Sequence, residues 1–94
     1  MTRLPDQPEA PVAIMSTIDE FIRTQLLQVR DLRLTEDTPL IEHGYITSLQ
    51  AVELVLFLEE RFQIEISPEE VTEEGFKNLR TLTNLVQEKL AEVP

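Results

Sequence analysis

The sequence of 94 residues contains no cysteine, which excludes disulfide bonds and thiolate metal sites. This absence is compatible with a reducing cytoplasm. No run of about 18 consecutive apolar residues occurs, and the N-terminus lacks the apolar stretch typical of a signal peptide. We therefore expect a soluble cytoplasmic protein that makes no membrane contact.

Basic residues are also scarce, since 8 lysines and arginines face 18 acidic residues and the net charge is -10. Such a charge repels nucleic-acid phosphates and attracts proteins that carry basic patches. The one histidine is too few for a zinc site, and no Asp-x-Asp-x-Asp-Gly loop is present to bind calcium. We expect a protein partner, and neither nucleic acid nor metal.

The length predicts one small domain that is short for an active-site cleft, so an enzyme is disfavoured. Prolines at every third position from Pro5 to Pro11 predict a flexible tail over residues 1–13, followed by a single domain over residues 14–94. Apolar residues then recur every three or four positions. This spacing predicts a helix over about residues 17–30, capped by Ser16 or Thr17.

Residues 31–46 follow no helical period and contain Pro39 and Gly44. We expect a long loop that apolar side chains pin to the core, and loops of this length are usually functional or disordered. A capping box at Thr47 and Gln50 predicts a second helix that extends to Phe62. Further capping residues predict a short third helix over residues 68–74 and a fourth that begins at Thr81. The predicted fold is all-α with four helices.

The second helix has an apolar face and a mixed face. Five residues within a narrow sector form the predicted core face: Ala51, Leu54, Val55, Leu58 and Phe62. The opposite side combines apolar and acidic residues: Leu49, Val52, Leu56, Glu53, Glu59 and Glu60. Because burial of a leucine stabilises by roughly 1.5 to 3 kcal/mol, three exposed aliphatic side chains favour a covering partner. Other segments of the chain could instead cover them.

Ser48 lies at the start of this helix, where free backbone N–H groups and the helix dipole favour a phosphate. Because Thr47 provides the cap, the hydroxyl of Ser48 is not needed for it. Two interpretations are open at this point: a serine that is modified, and a serine with an ordinary solvated or capping role.

Residues 40–86, with the helix before them, resemble an acyl or peptidyl carrier protein. Thr47-Ser48-Leu49 stands at the family's Asp-Ser-Leu motif, which opens the second of four helices. Residues 52–54, 58–66 and 76–81 match the family's hydrophobic and acidic pattern, and the resemblance covers about residues 16–92. It implies a four-helix carrier bundle with a long loop between helices 1 and 2 and a short third helix.

The resemblance implies a carrier that is not an enzyme, with 4'-phosphopantetheine from coenzyme A attached to Ser48. The arm would hold acyl or aminoacyl groups as thioesters and deliver them to partner enzymes. Expected partners are a phosphopantetheinyl transferase and adenylating ligases, synthases or acyltransferases with basic docking patches. The mixed face would dock them, Gly44 and Thr47 would support the motif, and the chain would be a monomer.

Two departures from the family pattern stand out. Thr47 replaces the aspartate before the serine, which preserves the cap but removes a charge that transferases commonly engage. Gly44 lies four residues before Ser48 instead of three, as in free-standing carriers that work beside adenylating ligases. This favours a specialised biosynthetic role. The rival hypothesis is a small acidic helical adaptor that binds a protein groove without covalent modification.

Overall fold

A computed structural model describes residues 10–29 and 31–92. These residues form three α-helices: α1 at Pro11–Phe21, α2 at Ser48–Phe62 and α3 at Leu79–Glu92. A π-helical segment, Ile22–Leu26, continues α1, and one 3-10 turn lies at Pro68–Glu70. No strand occurs in this described part of the chain. The all-helical prediction is confirmed, whereas the count of four helices is not.

The first helix begins earlier than its predicted caps. Pro11 occupies the first turn, where its missing N–H costs nothing, so α1 starts inside the segment expected to be a tail. The prediction that Ser16 or Thr17 caps the helix is wrong. Both residues lie inside it, and the Thr17 hydroxyl donates to the Ala13 carbonyl at 2.9 Å. The remainder of the expected tail, residues 1–9, lies outside the described residues.

The predicted third helix over residues 68–74 is present only as the 3-10 turn. Its capping box forms as expected, with the Ser67 N–H donating to the Glu70 carboxylate at 3.0 Å. Val71 then leaves the helical region, with φ -85° and ψ 83°, and the chain continues in turns to α3. A capping box therefore started the helix without extending it.

The fourth predicted helix corresponds to α3 but begins before Thr81. The Asn78 side chain accepts from the Thr81 N–H at 2.9 Å, and the Thr81 hydroxyl accepts from the Asn78 N–H at 3.2 Å. The cap therefore lies at Asn78, and the prediction that Thr81 caps the helix is wrong.

The core lies between the three helices and the segments that join them. Two contacts connect the first helix to α2: Phe21 stacks on Phe57 with ring centroids 3.9 Å apart, and the Gln50 side chain reaches the Leu26 carbonyl. Because these contacts run in opposite chain directions, α1 and α2 are antiparallel. The fully buried apolar side chains include Ile14, Ile18, Ile22, Leu40, Leu54, Leu58, Leu82 and Val86.

The long loop is confirmed. Its middle section is held at Asp37 and Leu40 by bonds to residues at or just before the start of α3. Leu40 is buried and its N–H donates to the Lys77 carbonyl at 2.8 Å. The Arg80 guanidinium at the start of α3 holds both carboxylate oxygens of Asp37 at 3.0 Å. These contacts order the chain that leads to the start of α2. Among the described residues, no helix has both the length and the apolar character needed to cross a membrane.

Candidate functional site

The start of α2 is closed by the predicted capping box. The Thr47 hydroxyl accepts from the Gln50 N–H at 3.2 Å, and the Gln50 side-chain oxygen accepts from the Thr47 N–H at 3.0 Å. Reciprocal bonds of this kind satisfy two of the donors that a helix start leaves without an intrahelical acceptor. The predicted cap is therefore confirmed in both of its bonds.

Ser48 is the first residue of α2 and is exposed. Because Thr47 accepts the capping bond, the Ser48 hydroxyl is not used for it. Within the described part of the chain, that hydroxyl has no hydrogen-bond partner. The exposed oxygen stands at the positive end of the helix dipole, and this position suits a phosphodiester.

The mixed face of α2 is open to solvent. Leu49 is 71% exposed, Val52 is 53% exposed and Leu56 is 60% exposed. Glu53 and Glu60 of the same helix are also exposed. The alternative that other segments of the chain cover these side chains is therefore wrong for the described residues.

We call Leu49, Val52, Glu53, Leu56 and Glu60 the α2 seam. On the opposite side, Ala51, Leu54, Leu58 and Phe62 are buried as predicted, and Val55 is half-buried. The seam thus combines three exposed apolar side chains with two exposed carboxylates.

Glu59 differs from the other acids predicted on this face. It is half-buried, and one of its carboxylate oxygens accepts from the Ile66 N–H at 2.9 Å. The side chain connects the end of α2 to the segment that follows it. Helical periodicity placed Glu59 on the mixed face with Glu53 and Glu60. It could not show the bond to Ile66, because that bond depends on the path of the chain after α2.

Gly44 sits in the turn that brings the loop to α2. Its N–H donates to the Ile41 carbonyl at 2.9 Å, and its φ of +74° lies in the region that favours glycine. The next two N–H groups, of Tyr45 and Ile46, both donate to the Leu40 carbonyl. Gly44 therefore shapes the approach to Thr47 and Ser48.

Gln50 has a role beyond the capping box that the sequence did not indicate. Its side-chain nitrogen donates to the Leu26 carbonyl at 3.3 Å, across 24 positions of sequence. The capping-box pattern signalled the local bond only, since nothing in the sequence shows which carbonyl lies beside the helix start.

The family described as "Phosphopantetheine attachment site" matches residues 22–87. The chain belongs to the phosphopantetheine-binding carrier proteins. The chain is also 39% identical over 72 residues to an "Acyl carrier protein homolog" of Mycoplasmopsis pulmonis (strain UAB CTIP). That alignment covers 77% of this chain and 94% of the relative.

Carrier proteins of this family hold covalently attached 4'-phosphopantetheine and are not enzymes. They interact with phosphopantetheinyl transferases and with the enzymes that use the attached group. The matched region contains α2, the π-helical segment and most of α3. The exposed serine at the start of α2 fits a covalent phosphodiester, because it has a free oxygen and lies where an anion is stabilised.

Proposed function

We propose that Ser48 carries the 4'-phosphopantetheine arm. The observation that carries this proposal is the exposed hydroxyl at the start of α2, which the capping box leaves without a bond. An attachment point must be reachable by the transferase and must leave room for the arm. Ser48 meets both requirements, and the residues around it resemble the family's attachment motif.

The modification requires Ser48 to act as a nucleophile toward coenzyme A. Its oxygen forms a bond to the phosphorus next to the pantetheine, the bond from that phosphorus to adenosine 3',5'-bisphosphate breaks, and the serine proton leaves. The chain has one histidine, His43, and no hydrogen bond ties it to Ser48 in the described residues. Because the Ser48 hydroxyl has no hydrogen-bond partner among the described residues, we assign the base to the transferase. The attached arm supplies a thiol that holds a carboxylic acid as a thioester.

We propose that the α2 seam docks the partner enzymes. Its three exposed aliphatic side chains offer an apolar centre, and Glu53 and Glu60 offer charges to lysines or arginines on the partner. Contacts of this kind are formed quickly and released quickly, as a shuttle requires. Glu59 contributes less, because one of its oxygens is bonded to the Ile66 N–H.

The sequence around the attachment serine favours a specialised carrier. Residues 44–49 resemble free-standing carriers that adenylating ligases load, with acyl or aminoacyl cargo. Thr47 preserves the cap without the usual negative charge, which supports a dedicated transferase. We also propose that the chain acts as a cytoplasmic monomer and that the Pro68–Glu70 turn stands in the place of the family's third helix.

Intact-mass measurement tests the attachment residue. Incubation with a phosphopantetheinyl transferase, coenzyme A and magnesium is expected to add the mass of one arm to the wild-type chain. Ser48→Ala is expected to abolish the addition completely. Ser16→Ala is the matched control, because Ser16 is also exposed and helical but lies in α1, and it is expected to accept the arm normally.

Two results would contradict the proposal. A Ser48→Ala chain that still gains the arm would place the attachment elsewhere. A wild-type chain that gains no mass with several transferases, yet binds a partner unaffected by Ser48→Ala, would support the unmodified adaptor instead.

A further inference from the structure

The Gln50 side chain joins the start of α2 to the end of the first helix. Its oxygen accepts from the Thr47 N–H at 3.0 Å, while its nitrogen donates to the Leu26 carbonyl at 3.3 Å. The two partners fix the orientation of the amide, because an N–H requires an acceptor and a carbonyl requires a donor. We call this pair of bonds the Gln50 bridge.

The Leu26 carbonyl is well placed to accept this bond. Leu26 is the last residue of the π-helical segment, and carbonyls at the end of a helix have no donor one turn ahead. The Gln50–Leu26 bond is partly buried, so competition from water is reduced. Two turns further along α2, the stack of Phe21 on Phe57 fixes the same pair of helices independently.

We propose that Gln50 is a positioning residue for Ser48, an inference that rests on Ser48 as the attachment residue. Ser48 lies between Thr47 and Gln50, whose bonds define the first turn of α2. Helix ends open more readily than helix centres, and only a closed first turn holds the Ser48 oxygen in one place for the transferase. The bridge ties this turn to the first helix and so raises the fraction of molecules that can react.

Gln50→Glu removes the bond to the Leu26 carbonyl and keeps the bond to the Thr47 N–H. Glutamate at this position keeps the acceptor that the Thr47 N–H needs, as in other capping boxes, but it has no donor for the Leu26 carbonyl. Gln50→Met is uncharged and removes both bonds, which controls for the added negative charge. Thr81→Ala is the matched control. The Thr81 hydroxyl accepts from the N–H of the cap residue Asn78, as the Gln50 side chain accepts from the N–H of Thr47, but it does so at the start of α3.

Two measurements test this. Intact mass over time gives kcat and KM for arm addition, and NMR gives the resonance of the Leu26 carbonyl carbon. We expect Gln50→Glu to lower kcat by up to about tenfold, because the loss of one hydrogen bond lowers the equilibrium constant for closing the first turn of α2 by roughly that factor. KM should stay unchanged in Gln50→Met, because the α2 seam is intact and no charge is added. Gln50→Met should lower kcat at least as much, and Thr81→Ala should leave kcat unchanged. The Leu26 resonance should shift in both Gln50 variants only.

Wild-type kcat in Gln50→Glu, an unshifted Leu26 resonance, or an equal loss of kcat in Thr81→Ala would each overturn the role of Gln50. In those cases the wild-type chain still accepts the arm, so Ser48 stands as the attachment residue. A wild-type chain that accepts no arm would overturn both proposals together.

Discussion

At the scale of single residues, the capping side chain and the side chain proposed for modification are neighbours. Thr47 and Gln50 close the first turn of α2, and Ser48 between them keeps a free hydroxyl. A serine that capped its own helix would have to release a backbone N–H before it could be modified, at a cost of about 1 kcal/mol. The arrangement at Thr47 avoids this cost.

Gly44 is a residue where the backbone conformation decides the outcome of substitution. A β-carbon added there would meet no atom within 4 Å, so Gly44→Ala introduces no clash. Its φ of +74° nevertheless disfavours alanine, and we expect the free energy of unfolding to fall by about 1 to 2 kcal/mol in urea denaturation.

Gly44→Asn is the control for this prediction, because asparagine tolerates the left-handed region better than alanine does. The asparagine variant should lose less stability than the alanine variant. Equal losses would show that the side chain, and not the backbone angle, is responsible.

At the scale of elements, α2 contains two leucines that differ in their surroundings. Leu54 is fully buried, whereas Leu56, two positions later, is 60% exposed. Both lie in the middle of the same helix, so helix propensity affects them equally. They offer a matched pair that separates stability from docking.

We expect Leu54→Ala to lower the free energy of unfolding by about 2 to 5 kcal/mol, because it leaves a cavity in the core. Leu56→Ala should change that free energy by about 0.5 kcal/mol or less. Its effect should appear as slower turnover by a loading or accepting enzyme. Urea denaturation and partner kinetics on the two variants check this, and a large stability loss in Leu56→Ala would show that the chain itself covers the seam.

At the scale of the whole molecule, ion pairs join segments that are distant in sequence. Lys89 of α3 lies 2.7 Å from the Glu70 carboxylate, which connects α3 to the Pro68–Glu70 turn. The hydrogen bond from Lys89, with further bonds from Ser67, lowers the pKa of Glu70 from 4.5 to about 2. The Lys89 ammonium has a raised pKa for the same reason, its bond to Glu70.

The lowered pKa of Glu70 predicts a pH-dependent contribution to stability. Because the folded state favours the carboxylate, this contribution is complete above pH 4.5 and is lost as the pH falls from 4.5 to about 2. Gln at position 70 can still close the capping box but cannot pair with Lys89 as a charge. The stability difference between wild type and Glu70→Gln should therefore be largest above pH 4.5 and should vanish toward pH 2.

Wild type must be compared with Glu70→Gln at each pH, because acid also reduces the charge repulsion within a chain of net charge -10 and so changes the stability of both. Glu69→Gln serves as the control, since it removes the same charge from an exposed neighbour. Thermal unfolding from pH 2 to above pH 4.5 measures the stability of wild type, Glu70→Gln and Glu69→Gln. A wild-type to Glu70→Gln difference that stays constant with pH would contradict the prediction.

Local rules explain which parts of this fold followed from the sequence. The start and end of α2, its buried face and its exposed seam depend on helical period and on a capping box four residues long. The π-helical end of the first helix, the early end of the Pro68–Glu70 turn and the cap at Asn78 were missed. At each of these sites, local patterns permitted more than one helix boundary.

The sequence by itself determined the helical class, the position of Ser48 and the apolar and acidic residues of the seam, because each depends on neighbours within one or two helical turns. Tertiary structure alone decided that Gln50 reaches Leu26 and that Glu59 turns to the Ile66 N–H. It also decided that nothing in the described chain covers Leu49, Val52 and Leu56. These features depend on which segments of the chain meet in space. Helical periodicity specifies the direction in which a side chain points, but it does not specify which other segment that side chain meets.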